Sequence, residues 1–141
     1  MLSTEPSRKN LNLNLEYRMS AVLFWIYLGV FSFHGNHQGD VNTNHRPIGI
    51  EMQTEQGRYG VLSFRNTNFD DSITVYRRLW VDDKTFDLNA IAGVVTGYAD
   101  NPMPYILPVI TFTSRSLSAD LSCVPNGDDS INCAINLRWK I

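Results

Sequence analysis

The sequence has few of the residues that build metal centres and nucleic-acid surfaces. It contains two cysteines and three histidines. His34 and His37 stand in no regular spacing with acidic or cysteine partners, so no metal site is predicted. Lysine and arginine total 12 against 14 acidic residues, a net charge of −2, whereas a nucleic-acid binder normally carries a basic surplus. The sequence therefore predicts neither a metal nor a nucleic-acid partner.

Sequence motifs of nucleotide chemistry are missing as well. There is no phosphate-binding glycine loop, no dinucleotide fingerprint and no nucleophile elbow. The acid pairs Asp70-Asp71 and Asp82-Asp83 lie between strand-like runs, where turn formation and solubility account for them. No cofactor is predicted.

Long apolar runs are scarce, and the densest is the uncharged run AVLFWIYLGVFSF at 21–33. It is short for a membrane-spanning helix, which needs about 20 residues. A basic flank before a run of this length is typical of a secretory signal peptide, although no good cleavage site follows. An uncleaved anchor and a buried core strand or helix are the alternatives. We predict an export or targeting segment at 1–30 and one domain at 31–141, with the end of the run, Gly29 to His34, in the first strand.

The rest of the chain is strand-like. Gly, Asn, Asp and Pro separate short β-branched or aromatic runs, a pattern that favours a sandwich or barrel. The predicted strands are 26–35, 46–54, 58–66, 71–81, 85–98, 104–114, 116–124 and 131–141. This number of strands in one small domain predicts an all-β fold, a small antiparallel up-and-down β-barrel of about eight strands.

The last two strands form the clearest hairpin. Apolar residues alternate with polar ones from Ile131 to the last residue, and Asn126-Gly127 before them is a strong turn signal. Cys123 and Cys133 lie on the apolar alternation of the two strands and are placed to face each other. A disulfide is predicted if the chain is exported, because oxidising compartments permit it; two buried thiols are the alternative.

The alternation does not say whether the apolar face points inward, as in a soluble barrel, or toward lipid, as in a membrane barrel. Aromatic residues near the predicted strand ends favour the membrane arrangement, in which such residues form interfacial girdles. These residues are Tyr59, Tyr76, Trp80, Tyr98, Tyr105 and Trp139.

Five stretches, in this order, resemble the lipid A palmitoyltransferase family of outer-membrane barrels and its short bacteriophage-encoded relatives. They are FSFHG at 31–35, NHRPIGIEMQ at 44–53, RYGVLSFRNT at 58–67, AIAGVVTGYADNPMPYILPVITF at 90–112, and the alternating final strand. The resemblance implies an outer-membrane location in a Gram-negative host, with the periplasm as the alternative. It also implies phospholipid and lipid A as partners, and we expect a monomer.

The family's enzymes move an acyl chain from a phospholipid to lipid A, and the resemblance implies which residues would act. The family's histidine matches His34. Its Asp-Ser pair falls on Asn66-Thr67, a departure that removes the acid, and Asp71-Ser72 is the alternate pair. Pro104 and Pro108 resemble the prolines that interrupt strand pairing and admit lipid sideways.

Three functions follow as hypotheses. The first is a non-enzymatic envelope barrel that alters or binds the membrane, favoured because Asn66 breaks the catalytic pair. The second is an active acyltransferase. The third is a soluble lipocalin-like lipid-binding barrel.

Overall fold

Eight antiparallel strands make up the part of the chain that the computed structural model describes, residues 22–35, 39–125 and 130–141. In chain order they are Leu23–His34 (β1), Ile48–Thr54 (β2), Gly57–Arg65 (β3), Asp71–Leu79 (β4), Phe86–Val95 (β5), Met103–Ser114 (β6), Leu117–Pro125 (β7) and Ile131–Lys140 (β8). Each strand pairs with the next and β8 pairs with β1, so the sheet closes. The predicted all-β, up-and-down barrel is confirmed.

The barrel begins earlier than the predicted boundary at residue 31. Strand β1 starts at Leu23; residues 23–26 pair with β2, and from Trp25 onward the strand pairs with β8. The first part of the uncharged run therefore belongs to the wall of the barrel, because its backbone pairs with the neighbouring strands β2 and β8. The export segment stays a prediction, since residues 1–21 lie outside the described residues, as does the Asn126-Gly127 turn. Within the described ranges no helix is long and apolar enough to cross a membrane.

The apolar face of the barrel points outward. Along β4, Thr74 and Arg78 are buried in the lumen, whereas the alternating Ile73 and Val75 are exposed. We call the outward apolar side chains the outer belt, and all eight strands contribute to it. Members from successive strands are Leu28, Ile48, Val61, Val75, Leu88, Ile106, Leu121 and Ile131. Such a belt is the arrangement of barrels that face lipid, and soluble monomers rarely expose a continuous apolar surface of this extent.

A β-bulge in β1 decides which of its side chains enter the lumen. The register with β8 shifts between Tyr27 and Gly29, leaving Leu28 as the extra residue. Before the bulge the inward residues are odd-numbered, as at Tyr27; after it they are even-numbered, as at Ser32. An extra residue reverses the faces because strand side chains alternate with a period of two. Without the bulge, Ser32 and His34 would point outward.

The aromatic residues predicted for the girdles divide into two groups. Those on the outer surface are Tyr59, Trp80 and Trp139, whereas Tyr98 lies in the loop after β5 and lines the lumen cavity. Tyr76 is buried in the lumen and Tyr105 packs against the same core, so the prediction is wrong for these two. Tyr76 shares its face of β4 with Arg78, and its hydroxyl has polar partners inside the barrel.

The two ends of the barrel differ in the length of their connections. The connections at 55–56, 80–85 and 115–116 lie at the end where β1 starts and β8 finishes, whereas those at 35–47, 66–70 and 96–102 lie at the opposite end. We call these the short-turn end and the long-loop end. Outer-membrane barrels show the same asymmetry, with short periplasmic turns and longer extracellular loops.

Cys123 and Cys133 form the predicted disulfide. They are direct partners in the register of β7 and β8, with their Cα atoms 4.0 Å apart. Disulfides persist in oxidising environments. The bond therefore favours a compartment outside the reducing cytosol.

Candidate functional site

Four buried charged residues fill the short-turn half of the lumen. Glu51, Arg78, Asp120 and Arg138, the charge cluster, are each at most 3% exposed. Arg138 holds Asp120 with two bonds, Nη2 to Oδ1 at 2.8 Å and Nε to Oδ2 at 2.9 Å, and also donates to Glu51. Arg78 joins the same two carboxylates, at 2.8 Å to Glu51 and 2.5 Å to Asp120. Two positive and two negative charges thus balance in a closed ring, the arrangement that buried ions require.

Arg58 and Trp25 cover the charge cluster toward the short-turn end. The Arg58 guanidinium lies 4.2 Å from the centroid of the Trp25 ring, a cation–π contact. The same guanidinium bonds to Asp83 at 2.5 Å and lies 3.7 Å from Glu51, which therefore has a third arginine beside it. Side chains that pair with one another therefore fill this half of the lumen.

Two tyrosines separate the charge cluster from the rest of the lumen. The Tyr76 hydroxyl donates to Glu51 at 2.6 Å and is also hydrogen-bonded to the Tyr27 hydroxyl. Gly60 makes room for this ring, because a Cβ there would lie 2.2 Å from Tyr76 Cζ. We call the tyrosine pair the floor.

Above the floor, a cavity of about 460 Å³ occupies the long-loop half of the lumen. Its size falls in the range of small-molecule sites, about 300–1,000 Å³. Its wall is mainly apolar, made by Val30, Leu62, Phe64, Ile91, Val95 and Leu107. Polar groups gather toward the long-loop end, at Ser32, His34, His45, Thr67, Tyr98 and Asn132. Thr74 and Asn136 add polar groups below the rim. A mainly apolar interior below a polar rim suits an amphiphile with a hydrocarbon chain.

Ser32 is the centre of the most ordered polar group in this rim. Its Oγ lies 2.7 Å from His34 Nε2 and 2.7 Å from His45 Nε2. His45 Nδ1 lies 2.7 Å from the carbonyl oxygen of Arg65. Ser32 and His45 are buried, at 7% and 4% exposure, so these bonds are shielded from water.

The loop that carries His45 is held in the barrel wall. The His45 amide donates to the Val30 carbonyl at 3.0 Å, and its own carbonyl accepts from the Arg65 amide at 2.9 Å. His45 therefore lies between β1 and β3, at a level where β1 no longer pairs with β2. Arg46, next in the chain, has a positive φ of 42°, which is costly for a residue other than glycine.

The predicted catalytic residues are only partly brought together. His34 and Thr67 line the same cavity. Asn66 does not line it: its amide nitrogen donates to Ser72 Oγ at 3.1 Å and to the Gly97 carbonyl at 2.7 Å, while its oxygen accepts from the amides of Asn68 and Asp70. These four bonds hold the turn after β3.

The alternate pair is divided by the alternation of β4. Ser72 is buried beside Asn66, whereas Asp71 is exposed. Thr67 is hydrogen-bonded to Tyr98, in the loop after β5; burial raises the pKa of that phenol above its ordinary value of 10.0, and the bonds to Thr67 partly offset the rise.

Strand pairing is interrupted beside the cavity, where the sequence carries its prolines. Strand β6 pairs with β5 from Met103 to Phe112, including Pro104 and Pro108. Its register with β7 covers only Ile110 to Ser114. Residues 106–109 of β6 thus lie beside the end of β7, residues 122–125, without paired residues, and we call this stretch the seam. Leu107 on one side of it and Val124 on the other both line the cavity.

Ser32 and His45 were not singled out by the sequence. Ser32 stands two residues before His34, so one strand face carries both, and this spacing was a usable signal. His45 had no such signal, since only the return of the loop between β1 and β3 places it beside Ser32. Among the residues that the structure describes, no group of three or more His, Cys, Asp or Glu is arranged to hold a metal.

The site was also compared with known proteins, and it is interpreted from its own geometry for the following reason. No model of a known protein family matches the chain, and no curated protein matches it.

Proposed function

We propose that this chain is an outer-membrane β-barrel that takes one acyl chain of a membrane lipid into its lumen. The observation that carries the proposal is the apolar cavity beside the seam, inside a barrel whose outer belt is itself apolar. Each methylene that leaves water for such a cavity gains about 0.8 kcal/mol. A lipid in the surrounding bilayer would reach the cavity between β6 and β7, where no ladder of hydrogen bonds has to break.

The resemblance to the lipid A palmitoyltransferase family supports the same assignment. It supplies the lipids, a phospholipid and lipid A, and it places Pro104 and Pro108 at the entrance. The disulfide and the unequal loop lengths accord with the outer membrane of a Gram-negative host. The outer belt weighs against the soluble lipocalin-like alternative, since a soluble barrel has its apolar residues inside.

Transfer of the acyl chain to lipid A is the second candidate. His34, which matches the family's histidine in the resemblance, lines the cavity. Asn66, in the place of the family's acid, has its polar atoms bound in the turn, so a transferase would need another base. Lipid binding without transfer therefore ranks first.

Binding is tested with purified protein in detergent micelles and 11-(dansylamino)undecanoic acid, whose fluorescence rises in an apolar site. Saturated fatty acids should displace it, and each added methylene should strengthen binding about fourfold until the chain reaches the floor. Ala134→Trp, on the lumen side of β8, should weaken binding at least tenfold by filling the cavity, whereas Leu121→Trp, on the outer belt, should not. Equal affinity for all chain lengths, or equal binding by both variants, would contradict the proposal.

Location is tested by fractionating cells that express the chain and comparing heated with unheated samples on a gel. A folded membrane barrel should sediment with the outer membrane and migrate anomalously until boiled. Recovery in the soluble fraction without detergent would overturn the membrane assignment.

A further inference from the structure

We infer that Ser32 is a nucleophile activated by His45, and that the cavity rim cleaves an ester of the acyl chain bound below it. The inference rests on the proposed lipid-binding function and adds a reaction, ester cleavage, to the site. Nucleophilic catalysis by serine needs a base within hydrogen-bond reach and a third group that orients the base. Ser32, His45 and the Arg65 carbonyl supply these three parts.

The hydrogen bonds determine which nitrogen is the base. The Arg65 carbonyl can only accept, so His45 Nδ1 carries the hydrogen of the bond between them. In a neutral imidazole the other nitrogen is then an acceptor. The Ser32 hydroxyl has two acceptors in reach, His45 Nε2 at 2.7 Å and the Asn42 carbonyl oxygen at 3.5 Å. The shorter bond is the one to His45, and donation in that direction is what removal of the proton needs.

His34 completes the arrangement as a positioning residue. With its proton directed at His45, Ser32 Oγ is left with lone pairs and accepts from His34 Nε2, also at 2.7 Å. The bond fixes the rotamer of the hydroxyl. An acyl chain in the cavity brings its ester carbonyl to the rim, where Ser32 lies.

Backbone hydrogen bonds hold His45, the proposed base, in a fixed position. His45 is held by hydrogen bonds to two strands, and its ring meets the edge of Phe64 with ring centroids 6.1 Å apart. Asn42 donates to the Arg65 carbonyl as well, at 2.9 Å, so the oxygen that orients His45 is itself fixed. The positive φ at Arg46 is a local backbone strain that accompanies this position of His45.

The reaction balances with an ester and a hydroxyl compound as its two substrates. Ser32 Oγ bonds to the ester carbonyl carbon while its proton passes to His45 Nε2. The carbon–oxygen bond of the ester then breaks, and the alcohol leaves with that proton while the acyl group remains on Ser32. Water or a second alcohol next attacks the acyl-serine, its proton passes through His45 back to Ser32, and a carboxylic acid or a new ester is released.

The test uses the full chain in detergent micelles with p-nitrophenyl palmitate and a long-chain fluorophosphonate. We expect release of p-nitrophenol, and mass spectrometry should find the phosphonate on Ser32. Ser32→Ala should abolish both, and His45→Gln should slow both about 100-fold or more, the share of a general base. Ser118→Ala, a buried serine bonded to Thr113 at the short-turn side, is the control and should react as the wild type does.

The role of His34 is separated from folding by a conservative variant. His34→Ala should slow ester cleavage, and His34→Gln, which keeps an N–H donor, should recover part of the rate. Failure of Gln to improve on Ala would remove His34 from the arrangement.

Binding of the dansyl fatty acid is measured on every sample, so that two failures are told apart. A wild type that binds the fatty acid but neither cleaves the ester nor takes the phosphonate on Ser32 overturns the inference and leaves the lipid-binding function standing. A folded barrel that does not bind the fatty acid overturns both.

Discussion

Replacing Glu51 by Gln should destabilise the barrel strongly, because Glu51 holds one of the two negative charges of the charge cluster. The substitution keeps the volume but leaves two arginines around Asp120 alone, a buried excess of one positive charge. The new amide keeps one acceptor oxygen, so its NH2 group would face the donors of either Arg78 or Arg138, which bond to different oxygens of Glu51. Breaking a buried ion pair from one side costs about 3–5 kcal/mol, a large share of the 5–15 kcal/mol by which domains are typically stable.

The assay is urea unfolding of the barrel in lipid vesicles, followed by tryptophan fluorescence and by the loss of heat-modifiable gel migration. With a slope of about 2 kcal/mol per molar urea, the midpoint should fall by about 2 M. Asp83→Asn is the matched control: Asp83 also pairs with an arginine, but its side chain is 61% exposed, so the loss should stay below about 1 kcal/mol.

A double variant tests the reasoning about charge balance. Glu51→Gln with Arg138→Gln leaves one arginine and one aspartate in the charge cluster, so the double variant should lose less stability than the two single variants added together. The coupling should reach about 2 kcal/mol, within the range for residues of one network. If Glu51→Gln is no more harmful than Asp83→Asn, or if the single losses simply add, the cluster does not act as a balanced ring.

Two further substitutions probe the floor and the wall. Gly60→Ala places a Cβ 2.2 Å from Tyr76 Cζ, so the tyrosine ring must move and its hydrogen bond to Glu51 must break. We expect the free energy of unfolding in urea to fall by about 1–3 kcal/mol, and the fatty-acid length at which affinity stops rising to change. An unchanged length limit would show that Tyr76 is not the floor. Replacing both Cys123 and Cys133 by Ala removes a bond that closes a loop of sequence separation 10, which should cost about 3 kcal/mol; reduction of the wild type should reproduce that loss, and a barrel equally stable with and without the bond would contradict it.

The strands were predictable because alternation and turn residues are local signals. The predicted bounds of most strands lie within two or three residues of the observed ones, and the pairing of Cys123 with Cys133 followed from their places on the last hairpin. The direction of the apolar face was not predictable, since a period of two is the same whichever side faces the lumen. The exposed Val75 and the buried Arg78 on one strand settle that direction.

The rim of the cavity was the least predictable part, because it depends on a single extra residue and on a returning loop. The bulge at Leu28 leaves no mark in the alternation strong enough to identify in advance, yet it decides that Ser32 faces inward. His45 reaches Ser32 only because its backbone bonds to Val30 and Arg65 place it between two strands. His34 was identified from its resemblance to a family's histidine, and its partners came from geometry alone.

The two halves of the lumen differ in what they contribute: the long-loop half holds an open cavity, and the short-turn half holds the buried charges that tie the strands together. A cavity of about 460 Å³ leaves the long-loop half less fully packed than the other, although Val30, Leu62 and Ile91 pack together in its wall, and the seam removes part of its hydrogen-bond ladder. The charge cluster, at the other end, links β2, β4, β7 and β8 through Glu51, Arg78, Asp120 and Arg138. Four strands are thereby tied across the barrel at one level. The long-loop half can then stay open to a lipid chain, because closure of the barrel does not depend on that half being filled.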